Sequence, residues 1–465
     1  ELDMILKPAL EAYPDNPQLK LRLADIHRIK GRYQEAHDGY TQLAMENHHR
    51  KDLPDWRVQY GLGLTSTALG DLEIGLAALQ DAALAQPNNL QILHALSEVY
   101  ADADLVEKAF ETAKSALEAA PQDIENLIWL SQFNANHNRI DDALTALSEA
   151  RQIAPDRLDL VFVYAKTLNS KGANEESVEH LDDLVSNEDA TADLLHQSAY
   201  LYMQSQDLDR AAIALEKALE KAAGTNPLLL MDLAVLYTLM DQRKNALEVV
   251  DLSESILRKY PSLAMMKANL LSQIGQYTSA VAVLDLIDED MGVKQKSLHL
   301  QTENYDQSPL LFRYDFSYKG YLLQRGQLTR AAGKVQESQM ILGKAYNLVP
   351  QDHQIQNALV GASVAGMAYE EALNTIEETN PLDTNPGELN INQLDLVCAH
   401  AEILLEMDEI KQAENIINNP RLLKREYPRL LAIKSRCASM QGDDSKARAY
   451  LQQAIEGYQE NLKEN

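Results

Sequence analysis

Pairs of small residues twelve positions apart recur along the whole chain, and this spacing restricts its fold more than any other feature of the sequence. The first members of successive pairs lie 39, 34, 34, 34, 34, 35, 34, 58, 34, 41 and 34 residues apart. Two antiparallel helices approach closely only where both carry small side chains, so the spacing predicts a helical hairpin repeated about twelve times. The pairs are Ala24/Ala36, Gly63/Gly75, Ser97/Ala109, Ser131/Ala143, Ala165/Ser177, Ala199/Ala211, Ala234/Ala246, Ala268/Ala280, Gly326/Ser338, Val360/Ala372, Ala401/Ala413 and Ser435/Ala447.

Flanking residues support the hairpins. In most units a larger apolar residue lies four positions after the second small one, as at Leu79 and Leu147, one helical turn further along the same side. Pro87 and Pro121 follow later in their units, and proline ends a helix because it lacks the N–H and clashes with the preceding turn. Turn residues such as Gly31 separate the two helices.

This pattern resembles the tetratricopeptide repeat, a helix–turn–helix unit with the signature W-x2-L-G-x2-Y, then A-x3-F, then P. Leu62 and Gly63 match the L-G pair of the signature. The tyrosine position of the first helix is occupied by Tyr100, Tyr202 and Tyr237 in their repeats. The resemblance covers nearly the whole chain in about twelve units. It implies an all-α, right-handed superhelical solenoid whose tetratricopeptide-like repeats are held by contacts between neighbours.

Departures from the 34-residue step mark insertions, and the largest of them divides the chain. We predict an N-terminal solenoid block at residues 1–287, made of a partial first repeat and about eight repeats. An inserted, aromatic-rich connection follows at residues 288–316. A C-terminal block of about four repeats then occupies residues 317–465.

The two ends of the chain differ. Residues 2–13 have the pattern of a second helix without its first helix, and the chain begins with Glu1 rather than Met. We therefore expect a chain that was cut or processed at this end. The last helix carries an apolar stripe that includes Leu451 and Ile455, with polar residues opposite, which suits a capping helix.

The chain is strongly acidic, with 70 Asp and Glu against 42 Lys and Arg and a formal charge of −28. A nucleic-acid-binding protein needs a basic face to neutralise phosphates, and an anionic membrane repels this charge. No apolar run reaches the ~20 residues of a membrane-spanning helix. We predict a soluble protein, cytoplasmic or exported, that binds no nucleic acid, does not insert into membranes and favours basic or apolar protein segments.

Motifs of enzymes and of cofactor sites are missing from the sequence, which contains no P-loop, H-E-x-x-H, G-x-S-x-G or EF-hand loop. His48 and His49 lack a third metal ligand. Cys398 and Cys437 fall on first helices of neighbouring units with an offset of ~7.5 Å along the helix axis, so we expect free thiols. We predict a protein that is not an enzyme and holds no cofactor or metal.

The family resemblance implies that the first helices line a concave groove, with ligand contacts where side chains leave the packed stripe. In units three to six these positions are His94, Glu98, Trp129, Gln132, Phe162, Lys166, Asn169, His196 and Tyr200. Rings supply contact area to a bound peptide, and polar groups fix its position. For Trp129 and Phe162, packing between neighbouring helices is the alternative.

Family members that bind acidic C-terminal tails resemble each other in a clamp of Lys, Asn and Arg on the first helices. The corresponding fifth positions here contain no lysine, so the sequence does not support capture of an acidic tail. These positions are Leu21, Tyr60, His94, Ile128, Phe162, His196, Met231 and Met265.

Aromatic residues crowd the insertion, which includes Tyr305, Phe312, Tyr314 and Phe316. Their rings either fill the junction between the two blocks or form a second contact surface for a partner.

Together these features predict a non-enzymatic scaffold that binds a protein or peptide in the groove of the solenoid. The alternative is a structural protein whose copies associate through exposed solenoid ends, because residues 2–13 would leave a repeat face uncovered.

Overall fold

Helices make up 79% of the structure, a computed structural model, and its described residues contain 25 helices and no strand. The all-α prediction is therefore confirmed. The described residues are 8, 11–47, 55–223, 226–287, 308, 310–311, 316–379, 389–420, 422 and 427–464.

The chain separates into two compact units, Glu1–Lys217 and Ala218–Asn465. The helices that begin in the first unit are α1 (Pro17–Ile29), α2 (Tyr33–Asn47), α3 (Asp55–Ala68), α4 (Leu72–Ala85), α5 (Leu90–Asp102), α6 (Val106–Ala119), α7 (Ile124–Asn136), α8 (Ile140–Ile153), α9 (Leu158–Lys171), α10 (Asn174–Ser186), α11 (Ala192–Gln204) and α12 (Leu208–Lys221). Those of the second unit are α13 (Pro227–Leu239), α14 (Arg243–Val249), α15 (Glu254–Lys259), α16 (Pro261–Gln273), α17 (Tyr277–Leu284), α18 (Tyr318–Ala331), α19 (Val335–Leu348), α20 (His353–Ala365), α21 (Tyr369–Thr379), α22 (Ile391–Glu406), α23 (Ile410–Ile417), α24 (Pro428–Met440) and α25 (Asp444–Glu464).

Each predicted repeat is a pair of consecutive helices, here called the first and second helix of the repeat. The second helix of the seventh repeat is divided into α14 and α15. The two helices of a repeat contact each other, as α3 does with α4, and first helices of neighbouring repeats also touch, as α5 does with α7. The first helices are α1, α3, α5, α7, α9, α11, α13, α16, α18, α20, α22 and α24.

The small-residue pairs lie where the two helices of a repeat approach most closely. Ser177 Oγ donates a 2.7 Å hydrogen bond to the carbonyl oxygen of Ala165, its partner twelve positions away on the other helix. Ser338 makes the same 2.7 Å bond to Gly326. These short contacts leave little room between the two helices, so the close approach predicted from the spacing is confirmed at these pairs.

The turn between the two helices contains one residue with a left-handed backbone conformation in all twelve described repeats. In the first repeat the N–H of Gly31 donates to the carbonyl of Arg28, and the N–H of Arg32 to that of His27. This arrangement satisfies carbonyls that the end of a helix leaves unpaired. The positions are Gly31, Gly70, Asp104, Asn138, Gly172, Gln206, Asp241, Gly275, Gly333, Met367, Asp408 and Gly442.

The buried stripe predicted for the second helices is confirmed in the interior repeats and is wrong for the last one. Leu79 and Leu147 are 0% exposed, whereas Leu451 is 48% exposed, and Ile455 and Tyr458 are similarly open. In an interior repeat the next first helix covers this stripe, but no described helix covers α25. Part of the apolar stripe predicted for this helix is therefore open in the structure.

The unit boundary at residues 217/218 differs from the division predicted at residues 288–316. Most of that insertion lies outside the described residues, so the predicted division stays a prediction. The unpaired second helix predicted at residues 2–13 also falls largely outside them. Across the part of the chain that the structure describes, every helix is too short or too polar to cross a membrane.

Candidate functional site

Four side chains occupy the same position on neighbouring first helices of the first unit. Glu98, Gln132, Lys166 and Tyr200 each follow the small residue of their helix by one residue, on α5, α7, α9 and α11. Gln132 and Lys166 are exposed, and Glu98 and Tyr200 are half-buried. We call these four residues the first-unit row.

His94 and Trp129 stack against each other between α5 and α7, with ring centroids 3.7 Å apart and planes 12° apart. Buried Asn126 donates its two amide hydrogens to the carbonyls of Ala116 at 2.8 Å and Ala120 at 3.1 Å. Its Oδ1 must therefore accept the 2.7 Å bond from His94 Nε2, which fixes the tautomer of the ring. Burial lowers the pKa of His94, so the imidazole is neutral near pH 7.

Glu98 is a half-buried carboxylate beside this aromatic pair. Burial raises the pKa of Glu98; His137 lowers it, the Asp102 carboxylate raises it, and a hydrogen bond from the Trp129 side chain lowers it. Trp129 also stacks with Phe133, at a centroid distance of 5.2 Å. A carboxylate that has lost part of its hydration gains from a basic side chain of a ligand, because the ion pair replaces the lost water contacts.

The remaining predicted groove residues take different places. Phe162 is 8% exposed, so most of its ring packs inside the unit and offers a ligand little surface. Asn169 donates a 2.9 Å hydrogen bond to Gln204 and thereby links α9 to α11. His196 and Tyr200 are ring neighbours on α11, with centroids 4.7 Å apart.

In the second unit, part of the insertion docks on a first helix. Ser308 Oγ donates a 2.6 Å hydrogen bond to Asp232 Oδ1 on α13, across 76 residues of sequence. Asp232 is 0% exposed and stands two residues before the small residue Ala234, the position that Trp129 has in its own repeat. Leu310 is buried as well, and its N–H donates to Ser308 Oγ at 3.2 Å. This first helix therefore already holds a non-helical segment of the same chain.

A cleft of about 720 Å³ lies on α18, α20, α22 and α24, the first helices of the last four repeats. We call it the second-unit cleft. Its apolar lining includes Val360 and Ile403. A smaller cavity of about 270 Å³ shares Leu323, Gln327 and Gln354 with it, so the two adjoin along the same series of helices.

Charged side chains at one end of the second-unit cleft are paired with each other. Arg429 donates to both carboxylate oxygens of Glu402, at 3.0 and 2.7 Å, and to Asp395 at 2.9 Å. The hydrogen bonds to Glu402 are the largest cause that raises the pKa of Arg429. Arg436 pairs with Glu406 at 2.8 Å. This network joins α22 to α24, and the two arginines at that end of the cleft therefore already have carboxylate partners.

Sequence reasoning applied the groove positions only to repeats three to six and missed the second-unit cleft. The sequence did contain a signal for this cleft. The residue that follows the small residue of a first helix, the position of the first-unit row, is Gln327, Glu402 and Arg436 in three of the last four repeats, and all three line the cleft. Arg330, four residues after Gly326, lines it too. The sequence could identify these positions, but it could not show that their helices enclose a volume.

The predicted second contact surface is only partly described. Tyr305, Phe312 and Tyr314 lie outside the described residues. Phe316 is half-buried and lines the smaller cavity together with Met265. The aromatic contact surface therefore stays a prediction.

Cys398 and Cys437 are buried free thiols, as expected, and burial raises the pKa of Cys398 to about 12. Within the described ranges, no three His, Cys, Asp or Glu side chains are grouped so that they could hold a metal ion. His48 and His49 fall outside those ranges.

Comparison with known families agrees with the paired helices. Sequence models described as tetratricopeptide repeat match residues 5–44, 50–124 and 192–221. These matches support a tetratricopeptide repeat protein. This fold indicates a protein-interaction scaffold, and proteins built from it are generally non-catalytic.

Several solved structures are similar to the chain. A tetratricopeptide repeat protein from Parabacteroides merdae ATCC 43184 is 19% identical, with a TM-score of 0.36, over 50% of this chain and 90% of that one. A MamA structure is 22% identical, with a TM-score of 0.29, over 36% and 91%. A structure of Naa15/Naa10 bound to HypK-THB is 14% identical, with a TM-score of 0.36, over 98% and 73%. None of the curated proteins matches the chain.

Proposed function

We propose that the chain is a non-enzymatic scaffold whose first unit binds an extended protein segment across the first-unit row. The supporting observation is the half-buried Glu98 carboxylate beside the stacked rings of His94 and Trp129. This site favours a segment that places a basic side chain at Glu98. Gln132 and Lys166 offer hydrogen-bond donors to its backbone carbonyls.

The spacing of the helices sets the length of the segment. Neighbouring packed helices lie about 8–10 Å apart, so a row across four of them is roughly 27 Å long. An extended chain rises about 3.3 Å per residue, so about eight or nine residues span the row.

Replacing Gln132, Lys166 and Tyr200 by alanine together should weaken binding of such segments at least tenfold. The measurement is binding of peptides with basic side chains, selected on the full chain from a phage-displayed random 12-residue library. Circular dichroism should show unchanged helicity, because two of the three side chains are exposed and none belongs to the fully buried core.

The matched control replaces Glu107, Lys114 and Glu118, three exposed residues of second helix α6, by alanine and should leave binding intact. Because the pKa of Glu98 is raised, its carboxylate becomes neutral at a higher pH than an ordinary glutamate. Binding should therefore weaken as the pH falls from 7 to 5, and Glu98→Gln should remove this dependence. Equal binding by the triple variant and the wild type would contradict the proposal.

A second candidate function, self-association, is favoured by the open apolar stripe of α25. Leu451, Ile455 and Tyr458 are each nearly half exposed, and a second copy of the chain could cover them. Light scattering after size exclusion, over a hundredfold concentration range, should then show mass rising with concentration. Leu451→Ser with Ile455→Ser should abolish the rise; a constant mass near 52.0 kDa for the wild type would exclude this function.

A further inference from the structure

We infer that the second-unit cleft binds an extended protein segment that carries an acidic side chain, which pairs with the guanidinium of Arg330. The inference shares with the proposed function the extended nature of the ligand and adds a separate site with different ligand chemistry. By contrast, the fifth positions of the first helices in the first eight repeats contain no lysine that could pair with an acidic ligand.

Arg330 is the arginine of the cleft that has no ion-pair partner among the described residues. Of the three arginines in the lining, Arg429 and Arg436 are held by carboxylates on α22. Among the described residues, no carboxylate lies within the 4.0 Å of an ion pair from the Arg330 guanidinium. The side chain is half-buried, so it has lost part of its hydration without gaining an anion in return.

A glycine on the neighbouring first helix makes room for this guanidinium. Arg330 is on α18, and a Cβ at Gly361 on α20 would collide with its Nη1 atom. The guanidinium therefore lies against the α20 backbone, where both residues line the cleft. A side chain at position 361 would displace the charge from this place.

The charges of the cleft are separated along its length. Its lining carries three arginines and three carboxylates, but Arg429 alone holds two of these carboxylates, Asp395 and Glu402. Among the described residues, the excess positive charge of the lining is therefore at Arg330 on α18, and the excess negative charge is at the α22–α24 end. An acidic side chain that reaches the Arg330 guanidinium is attracted to it at close range, although the overall charge of the chain is −28.

Neutral polar groups near Arg330 suit the backbone of a bound segment. Gln327 and Gln354 are exposed and line both adjoining cavities. Their amides can donate to and accept from peptide groups, while Val360 and Ile403 supply the apolar part of the lining. A guanidinium binds a carboxylate through two parallel hydrogen bonds, which makes one acidic side chain the specific element of the segment.

The test uses the full chain with the first-unit row replaced by alanine, so that only the second unit is sampled. Peptides are selected on it from a phage-displayed random 12-residue library, and their affinities for variants are measured by fluorescence polarisation. We expect enriched peptides to carry Asp or Glu at one fixed position. Arg330→Gln should weaken their binding at least tenfold, and Gly361→Ala, which keeps the charge but displaces it, should weaken it severalfold.

Arg448→Gln is the matched control, since it removes one exposed arginine of α25 outside the cleft and should leave binding unchanged. Arg330→Gln should also melt at the wild-type temperature, because Arg330 has no described carboxylate to lose; a clear drop would show a structural role and overturn the inference. Enriched peptides without an acidic position, or equal binding to Arg330→Gln, would overturn it while leaving the proposed function standing. Failure of both the row variant and the wild type to select any peptide would overturn both.

Discussion

Alanine at Gly63 is expected to destabilise the first unit by about 1–3 kcal/mol, the usual cost of inserting a methyl group into a packed interior. The new Cβ would lie 2.6 Å from Leu79 Cγ and 3.1 Å from the carbonyl oxygen of Gly75. Leu79 is fully buried and the contact is at its branch point, so neither the side chain nor the α4 backbone can move away cheaply. Urea denaturation followed by circular dichroism measures the loss.

Gly343 provides the matched control because it also lies inside a helix, α19, and a Cβ there would meet no heavy atom within 4 Å beyond the backbone of its own helix and its chain neighbours. Gly343→Ala should stabilise the protein by about 0.5–1 kcal/mol, since alanine loses less backbone entropy on folding. If both substitutions changed stability in the same direction, the close approach of α3 and α4 would not be the reason why position 63 needs glycine.

Removing the Ser308 hydroxyl should cost about 1.5–3 kcal/mol, the range for a hydrogen bond to a charged group. The Ser308→Ala variant withdraws a 2.6 Å donor from the Asp232 carboxylate, which is 0% exposed and cannot exchange that donor for water. It also removes the oxygen that accepts the N–H of Leu310. Hydrogen exchange in peptides that cover α13 should therefore become faster than in the wild type.

A double-mutant cycle tests whether the cost comes from this contact. In an Asp232→Asn background the acceptor is neutral, so Ser308→Ala should cost about 1 kcal/mol or less. An exposed serine with a local hydrogen bond, Ser115 on α6, is the control, and Ser115→Ala should leave exchange at α13 unchanged. The same cost for Ser308→Ala in both backgrounds would mean that the Asp232 charge plays no part.

The turns show how far local sequence can lead. Glycine at Gly31 or Gly172 marks a left-handed residue, because glycine has no Cβ to oppose that conformation. Gln206 and Met367 adopt the same conformation without any such mark. At those turns the packing of the two helices imposes a left-handed backbone conformation that the residue itself disfavours. The spacing of the repeat therefore predicts the position of the turn better than the residue type does.

The groove residues divide in a similar way. The position of Glu98 and Lys166 on their helices follows from the spacing alone. The burial of Phe162 and the stacking of His94 on Trp129 depend on how neighbouring repeats pack. The sequence of a single repeat does not show that packing.

By itself the sequence determined the helical hairpin, the number of repeats and the residues at which helices touch. These features depend on side-chain size at fixed intervals, and size is encoded locally. The tertiary structure alone decided that Ser308 reaches Asp232, that Leu451 stays exposed, and that Arg330 lies in a cleft with no described carboxylate beside it. Each of these depends on which distant segment lies opposite a helix, because burial and charge pairing are properties of the surroundings that the residue's own repeat does not specify.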